Sequence, residues 1–456
     1  MIVLGLILVL ILGISMINRI SSQFSLCEKI GAGYLIGIAS VTLIMFILEL
    51  ISIRFTGGLL LVIMFILIIL LNYKLFLKFR FYIEKIKTKY QLPKFDFKKI
   101  NFIWIVFMLL TVIIIYGSVR KSMFWPTFAY DNVTGYDLMG KVMGNEGEIN
   151  NSLFEINKEP IKGSHTRIIY PILVSGSFAF AYLFGLETSK IMTSLFLVAF
   201  VIVYYGLLKR ISSPTAAIIF TFLMIITPEM YAFTSLSTTN IPFAIYTAIG
   251  YLYLYLWLTE RKNGDLLLAA IFMALCCWTR SEGIFFLLAG SLVLLYSTVR
   301  DKTWKEFFMF ISPGLLLFFV WNLYVKFNFN IEQNVFQTTL FWDAEKISII
   351  LNWVINLVTD TGLYGISFYM LILIILLNLK FLIQRDISTY LLSLILLSFF
   401  SYILLFYQLD NANLDPIEIM MKTSYRRGIF VFIPMIWFYV LASKVTGTLI
   451  NKIKRI

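Results

Sequence analysis

Long apolar runs recur from one end of the chain to the other, broken by short polar stretches. They cover residues 2–18, 31–53, 58–77, 102–118, 190–208, 213–228, 241–258, 265–279, 284–299, 307–327, 364–382, 387–407 and 428–446. A helix needs roughly 20 apolar residues to cross the hydrocarbon core of a bilayer, and most of these runs approach that length. One further apolar run, 167–185, either crosses or lies at the surface. The pattern predicts an all-α, polytopic transmembrane helix bundle of about thirteen spans. Polar segments at 119–166, 328–346 and 408–427 separate some of the spans. A basic segment with interleaved aromatics, 78–101, sets three N-terminal spans apart from the rest and has the character of a surface-lying linker.

Composition agrees with this pattern. The chain of 456 residues is 60% hydrophobic and 14% charged, where soluble domains carry about 25% charged residues. The first run, Ile2 to Met16, resembles the apolar part of a signal peptide. It lacks a charged leader and a small-residue cleavage site, so it is expected to be a retained span. The formal charge is +13. The basic residues sit in short loops, which is the positive-inside signature of a membrane protein. No soluble basic face is left for nucleic acid; anionic lipid heads are the expected partners.

Charge also decides how to read the run 167–185. If it stays on one side, cytoplasmic loops hold 24 of the 38 lysines and arginines; if it crosses, they hold 18. The first count fits the positive-inside rule. Residues 167–185 are therefore expected to form a re-entrant or interfacial helix on the outer face. The N-terminus is then outside and the C-terminus inside, and segments 119–166, 328–346 and 408–427 face outward.

The outer segments hold the candidate chemistry. Asp131 is the first acidic residue after the span 102–118. It reads either as a helix N-cap or as a general base beside the bilayer, with a pKa raised by the low-dielectric surroundings. From Asn132 to Met143 an imperfect helical stripe predicts a short helix lying on the membrane. On it Asp137 and Lys141 are spaced as an i,i+4 surface ion pair, or Lys141 binds a phosphate. His165, the only histidine, and Arg167 precede Tyr170-Pro171. The histidine suits an interfacial hydrogen bond or a substrate contact; the arginine either snorkels or grips phosphate. Arg280 and Glu282 lie in a turn between two spans, where charge is costly unless paired or functional. They form a mutual pair, or Arg280 faces a lipid phosphate. Arg426 and Arg427 stand at the outer boundary, against the positive-inside rule, with Asp410, Asp415 and Glu418 as possible partners. Cys27, Cys276 and Cys277 have no metal-ligand or disulfide spacing. No cofactor is expected, and a divalent metal has no ligand pattern to support it. Phosphate-binding glycine loops and zinc-protease or serine-hydrolase motifs are missing as well.

Three short motifs carry a resemblance. Tyr130-Asp131-Asn132, followed by Tyr136 and Gly140-Lys141, resembles the W-D-A…W…A-K stretch of bacterial GT-C glycosyltransferases, membrane enzymes that take sugars from polyprenyl-phosphate carriers. Tyr170-Pro171-Ile172-Leu173 resembles their Y-P-L-L element, which opens a juxtamembrane helix. Trp278-Thr279-Arg280-Ser281-Glu282-Gly283 resembles their T-(R/K)-x-E-G turn. The order and spacing agree over about residues 102–300.

The resemblance implies a GT-C-like bundle with outer-face juxtamembrane helices and Asp131 as catalytic base. It divides the chain into extra N-terminal spans and a basic linker (1–101), a catalytic module with the outer loop 119–166 (102–346), and C-terminal spans with the outer loop 408–427 (347–456). The donor would be a polyprenyl-phosphate or diphosphate sugar, and the acceptor a hydroxyl on a glycan, lipid or protein. Lys141, His165, Arg167, Tyr170, Arg280, Glu282, Arg426 and Arg427 are the candidate substrate and phosphate contacts. Two departures stand out: Asn240 replaces an acidic residue common in the family, and the N-terminal spans are additional. Two other functions fit a chain of this kind, an outer-leaflet polysaccharide polymerase or ligase and a lipid or solute transporter. A transporter predicts mid-span charges and two similar halves, and the sequence shows few of the first and none of the second.

Overall fold

The computed structural model describes residues 1–77, 101–127, 132–156, 170–329, 337–338, 342–384, 386–410 and 416–453. Asp131, His165, Arg167 and nearly all of the basic linker lie outside them. The described chain is helical throughout, apart from a two-residue antiparallel pairing of Gln337–Thr338 with Leu409–Asp410. That pairing joins two of the polar segments seen in the sequence.

Nine helices among the described residues are long and apolar enough to cross a membrane. They are α1 (Ile2–Ile20), α2 (Leu26–Leu50), α4 (Phe102–Phe124), α8 (Lys190–Ile211), α11 (Asn240–Glu260), α13 (Gly283–Asp301), α14 (Trp304–Phe329), α18 (Ser388–Gln408) and α19 (Ile417–Ala442). The other four expected spans correspond to α3 (Gly57–Leu77), α9 (Pro214–Ile225), α12 (Asn263–Thr279) and α17 (Ser367–Ile383). The chain is a multi-pass membrane protein. Short helices fill the connections: α5 (Asp137–Glu146), α6 (Ser152–Ile156), α7 (Leu173–Leu183), α10 (Pro228–Phe233), α15 (Ala344–Thr359), α16 (Thr361–Tyr364) and α20 (Lys444–Ile453).

Small residues decide which helices approach closely. Between apolar helices in lipid, association rests on packing and polar contacts, so backbones meet at glycine. A Cβ on Gly13 would lie 1.7 Å from the Gly33 carbonyl oxygen, and one on Gly37 2.0 Å from that of Val9. These contacts zip α1 to α2. A Cβ on Gly31, on α2, would lie 2.4 Å from the Ala199 carbonyl oxygen on α8. Helix α2 is thus held deep in the bundle. The Trp278 indole donates to Thr42 (3.1 Å), and the Tyr246 hydroxyl donates to the Leu35 carbonyl (2.8 Å). The span of α11 that reaches across the membrane is buried from end to end. Helix α4 lies at the periphery with few of its residues buried.

One end of the bundle is fastened by charge. Arg210 donates to Asp265 (2.6 and 2.7 Å), Glu260 (2.8 Å) and Glu28 (3.3 Å), so one guanidinium ties α8 to α2, α11 and α12. Glu28 also closes a capping box with Ser25 that starts α2. The opposite end carries the turn of Arg280 and Glu282.

Helix α7, from the ambiguous run 167–185, has 11 residues. It is about 17 Å long, little more than half the thickness of the hydrocarbon core. Every residue from Leu173 to Ala181 is buried. Helix α5 lies directly on it: Cβ atoms on Gly140 and Gly144 would meet the Phe178 Cβ at 2.6 Å and the Tyr182 Cβ at 2.9 Å.

Two experiments test this architecture. Gly37→Leu forces α1 and α2 apart, so it should lower the melting temperature by an amount equivalent to at least about 1–3 kcal/mol. Gly58→Leu, where an added Cβ meets nothing within 4 Å, should leave it unchanged. If α7 does not cross, single cysteines at positions 187 and 209 should react with impermeant thiol reagents from the outer and the cytoplasmic side respectively. Labelling of position 187 from the cytoplasmic side would refute that arrangement.

Candidate active site

The site end of the bundle is assembled around the segment that joins α4 to α8. Helix α4 starts at Asn101, whose side chain accepts from the Ile103 amide (2.9 Å), and it ends at Trp125. The Lys190 ammonium, buried at the start of α8, donates to the Trp125 carbonyl. After the polar loop the chain makes one π turn, Asn132–Tyr136, and enters α5. Gly147 ends α5 with φ +74, and its carbonyl accepts from the Phe55 amide (2.8 Å). A Cβ there would meet the Phe55 oxygen at 2.7 Å, so glycine serves both the turn and the contact. Glu49, at the end of α2, accepts from the Ile149 amide (2.7 Å), the Asn150 amide (3.2 Å) and the Tyr324 hydroxyl (2.9 Å). The N-terminal helices therefore brace the loop that follows α5.

Asp137 corrects one expectation from the sequence. It makes no ion pair with Lys141. Its Oδ1 accepts from the Tyr182 hydroxyl (2.7 Å) and from the Ser189 hydroxyl, which also contacts Ser237 (3.0 Å). The carboxylate turns toward α7 and α8 because the hydroxyls of the half-buried Tyr182 and the buried Ser189 replace water there, whereas the i,i+4 partner sits in solvent. Lys141 is exposed and has no described polar partner.

Arg280, Glu282 and Tyr170 come together. In the turn between α12 and α13, Arg280 donates to Glu282 through Nε (3.2 Å to Oε2) and Nη2 (2.6 Å to Oε1), and through Nη1 to Asn240 Oδ1 (2.9 Å). Its guanidinium carbon lies 5.3 Å from the Tyr170 ring centre and 5.5 Å from that of Phe243. The Tyr170 hydroxyl donates to Glu282 (3.3 Å), and its ring packs 5.9 Å from that of Tyr136. Burial first, and then the Glu282 charge, hold the Tyr170 phenol well above its ordinary pKa, so it remains a neutral donor. Asn240, noted in the sequence only as a missing acid, is thus a direct partner of Arg280.

The C-terminal arginines divide. Arg426 pairs with Glu229 (2.8 and 3.3 Å), a buried carboxylate 197 positions earlier in the chain, at the start of α10. Arg427 donates to the Thr423 carbonyl (3.1 Å). Tyr402 packs 6.0 Å from the ring of Phe286, in the first turn of α13, and stacks on Tyr425 at 5.2 Å. The first turn of α13 and the first half of α19 therefore share one side of the site.

Sequence reasoning missed the hydroxyl-rich turn Thr234-Ser235-Leu236-Ser237-Thr238-Thr239, where all five hydroxyl residues are buried. Ser118 donates to Thr234 Oγ1 (2.8 Å), and Ser194 to the Thr234 carbonyl (3.1 Å), so this turn joins α4 to α8. The density of hydroxyls ahead of Ile241-Pro242 was the available signal. Among the described residues, no three histidine, cysteine or acidic side chains converge as metal ligands.

A sequence model of the dolichyl-phosphate-mannose-protein mannosyltransferase family matches residues 178–325. The likeness to GT-C glycosyltransferases is borne out over this segment. It runs from within α7 into α14, and so contains Asn240, Arg280, Glu282 and the buried hydroxyl turn. No curated protein and no solved structure matches the chain. The match and the apolar helices support a membrane glycosyltransferase of GT-C type.

The Arg426–Glu229 pair yields a prediction. Arg426→Ala strands the buried Glu229 carboxylate and should destabilise the protein by about 1–3 kcal/mol. Adding Glu229→Gln should restore part of that loss. Thermal melts of the two variants measure both effects.

Proposed function

We propose that this GT-C-type glycosyltransferase takes a sugar from a polyprenyl-phosphate carrier and transfers it to an acceptor hydroxyl on the extracytoplasmic face. The observation that supports this reading best is Arg280, a half-buried guanidinium with two aromatic rings beside it at the end of the bundle, inside the matched segment. A planar fork of N–H donors suits two phosphate oxygens, and its low-dielectric surroundings strengthen the contact. Tyr170 is a further neutral donor beside it.

The reaction asks little more of the protein. The acceptor oxygen attacks the anomeric carbon, the bond from that carbon to the phosphate oxygen breaks, and the lipid phosphate leaves with the electron pair. The acceptor's proton passes to a base. Asp131 is assigned that role from its place after α4 and its match to the family motif. A single displacement inverts the anomeric centre. A polyprenyl phosphate leaves readily without a general acid, so one base and one cationic grip suffice.

Asp131→Asn should preserve folding and lower turnover at least about a hundredfold, whereas Asp137→Asn, in its hydroxyl cradle, should act mainly on stability. Arg280→Ala should weaken apparent donor affinity roughly tenfold to a hundredfold, with Arg280→Lys restoring only part. Steady-state kinetics on purified variants check these outcomes. A larger turnover loss at Asp137 than at Asp131 would move the base to Asp137.

A further inference from the structure

Each of the three nitrogens of the Arg280 guanidinium makes a hydrogen bond. Nε and Nη2 meet the two oxygens of Glu282 side by side, at 3.2 and 2.6 Å, while Nη1 is held by the neutral Asn240 at 2.9 Å. The side-by-side contact is the fork geometry by which an arginine grips either a carboxylate or a phosphate. A guanidinium largely withdrawn from water is disfavoured without a counter-charge, so a site built around one is steadied by a resident anion between substrate turnovers.

We infer that the Glu282 carboxylate occupies the seat of the donor's phosphate and is displaced when the donor binds. The inference deepens the reading that Arg280 takes the phosphate, and rests on it. Three features suit Glu282 to an exchangeable role. It stands at the start of α13, yet its side chain caps no amide there, so the helix does not depend on where the carboxylate points. Its one other described bond is the long contact from Tyr170 at 3.3 Å. Its side chain is 20% exposed, which leaves a route outward.

The guanidinium itself is fixed by contacts that survive the exchange. Asn240 holds Nη1, and the rings of Tyr170 and Phe243 flank the group. A carboxylate at position 240 would add a second competing anion, whereas Asn240 orients the arginine without contesting its charge. Glu282 is thus a residue that sets donor affinity: it steadies the resting site and lowers the apparent affinity for any phosphate that must displace it.

The test titrates a short-chain polyprenyl phosphate, and the matching uncharged polyprenol, into detergent-solubilised full-length protein. Binding and melting are followed together for wild type, Glu282→Gln, Glu282→Asp and Arg280→Ala. The glutamine variant should melt lower without ligand. It should bind the phosphate about tenfold more tightly than wild type and gain more thermal stability from it. Polyprenol binding should not change. Glu282→Asp, whose carboxylate is drawn back by one methylene, should shift the same way by less, and it carries the test if the glutamine variant does not fold. Unchanged or weaker phosphate binding in these variants, with Arg280→Ala still impaired, would overturn the inference and make Glu282 a brace, leaving the phosphate role of Arg280 intact. Equal binding of phosphate and polyprenol by wild type, with no effect of Arg280→Ala, would remove both.

Discussion

A positive charge largely withdrawn from bulk water organises this end of the molecule: the Arg280 side chain is only 16% exposed. Arg280 sits in a turn only three residues long, between Thr279 at the end of α12 and Gly283 at the start of α13. Glu282, Asn240, Tyr170 and Phe243 each meet a different part of its guanidinium. Those partners come from α11, from the segment leading into α7 and from the turn that holds Arg280 itself. Pairing one cation therefore fixes the relative positions of three separate pieces of chain. Charge placed at a membrane boundary needs a partner or a task, and the site gives Arg280 partners whose geometry also suits a phosphate.

The opposite end solves the same problem in a structural way. Arg210 is shared by Glu28, Glu260 and Asp265, and so it has more carboxylate partners than one cation neutralises. That cluster is saturated and ties four helices. Arg280 has a single carboxylate within its own turn and a neutral amide beside it, which leaves its charge open to exchange. The contrast in partner chemistry separates a fastening from a site.

The helical bundle was legible because apolar runs of spanning length are a strong and redundant signal. The pairing of Arg280 with Glu282 was legible from their spacing alone. Partners distant in sequence were not: nothing near Arg426 points to Glu229, and nothing near Asp137 points to Ser189 or Tyr182. The amphipathic helix α15 was overlooked because its apolar positions repeat every three to four residues rather than run continuously. The depth of α2 was hidden too. Gly31, Gly33 and Gly37 lie among larger apolar residues, and only their contacts reveal them as packing surfaces.

Catalysis on a lipid-linked sugar can be followed through the chemistry of the carrier. Purified protein in lipid nanodiscs would be given polyprenyl-phosphate-linked sugars labelled in the sugar, with an envelope extract as the source of acceptors. Free polyprenyl phosphate should be released together with transfer of the label to an acceptor. Donors that stay intact with every sugar tried, while the same protein in sealed vesicles carries the lipid-linked sugar across the bilayer, would contradict glycosyl transfer.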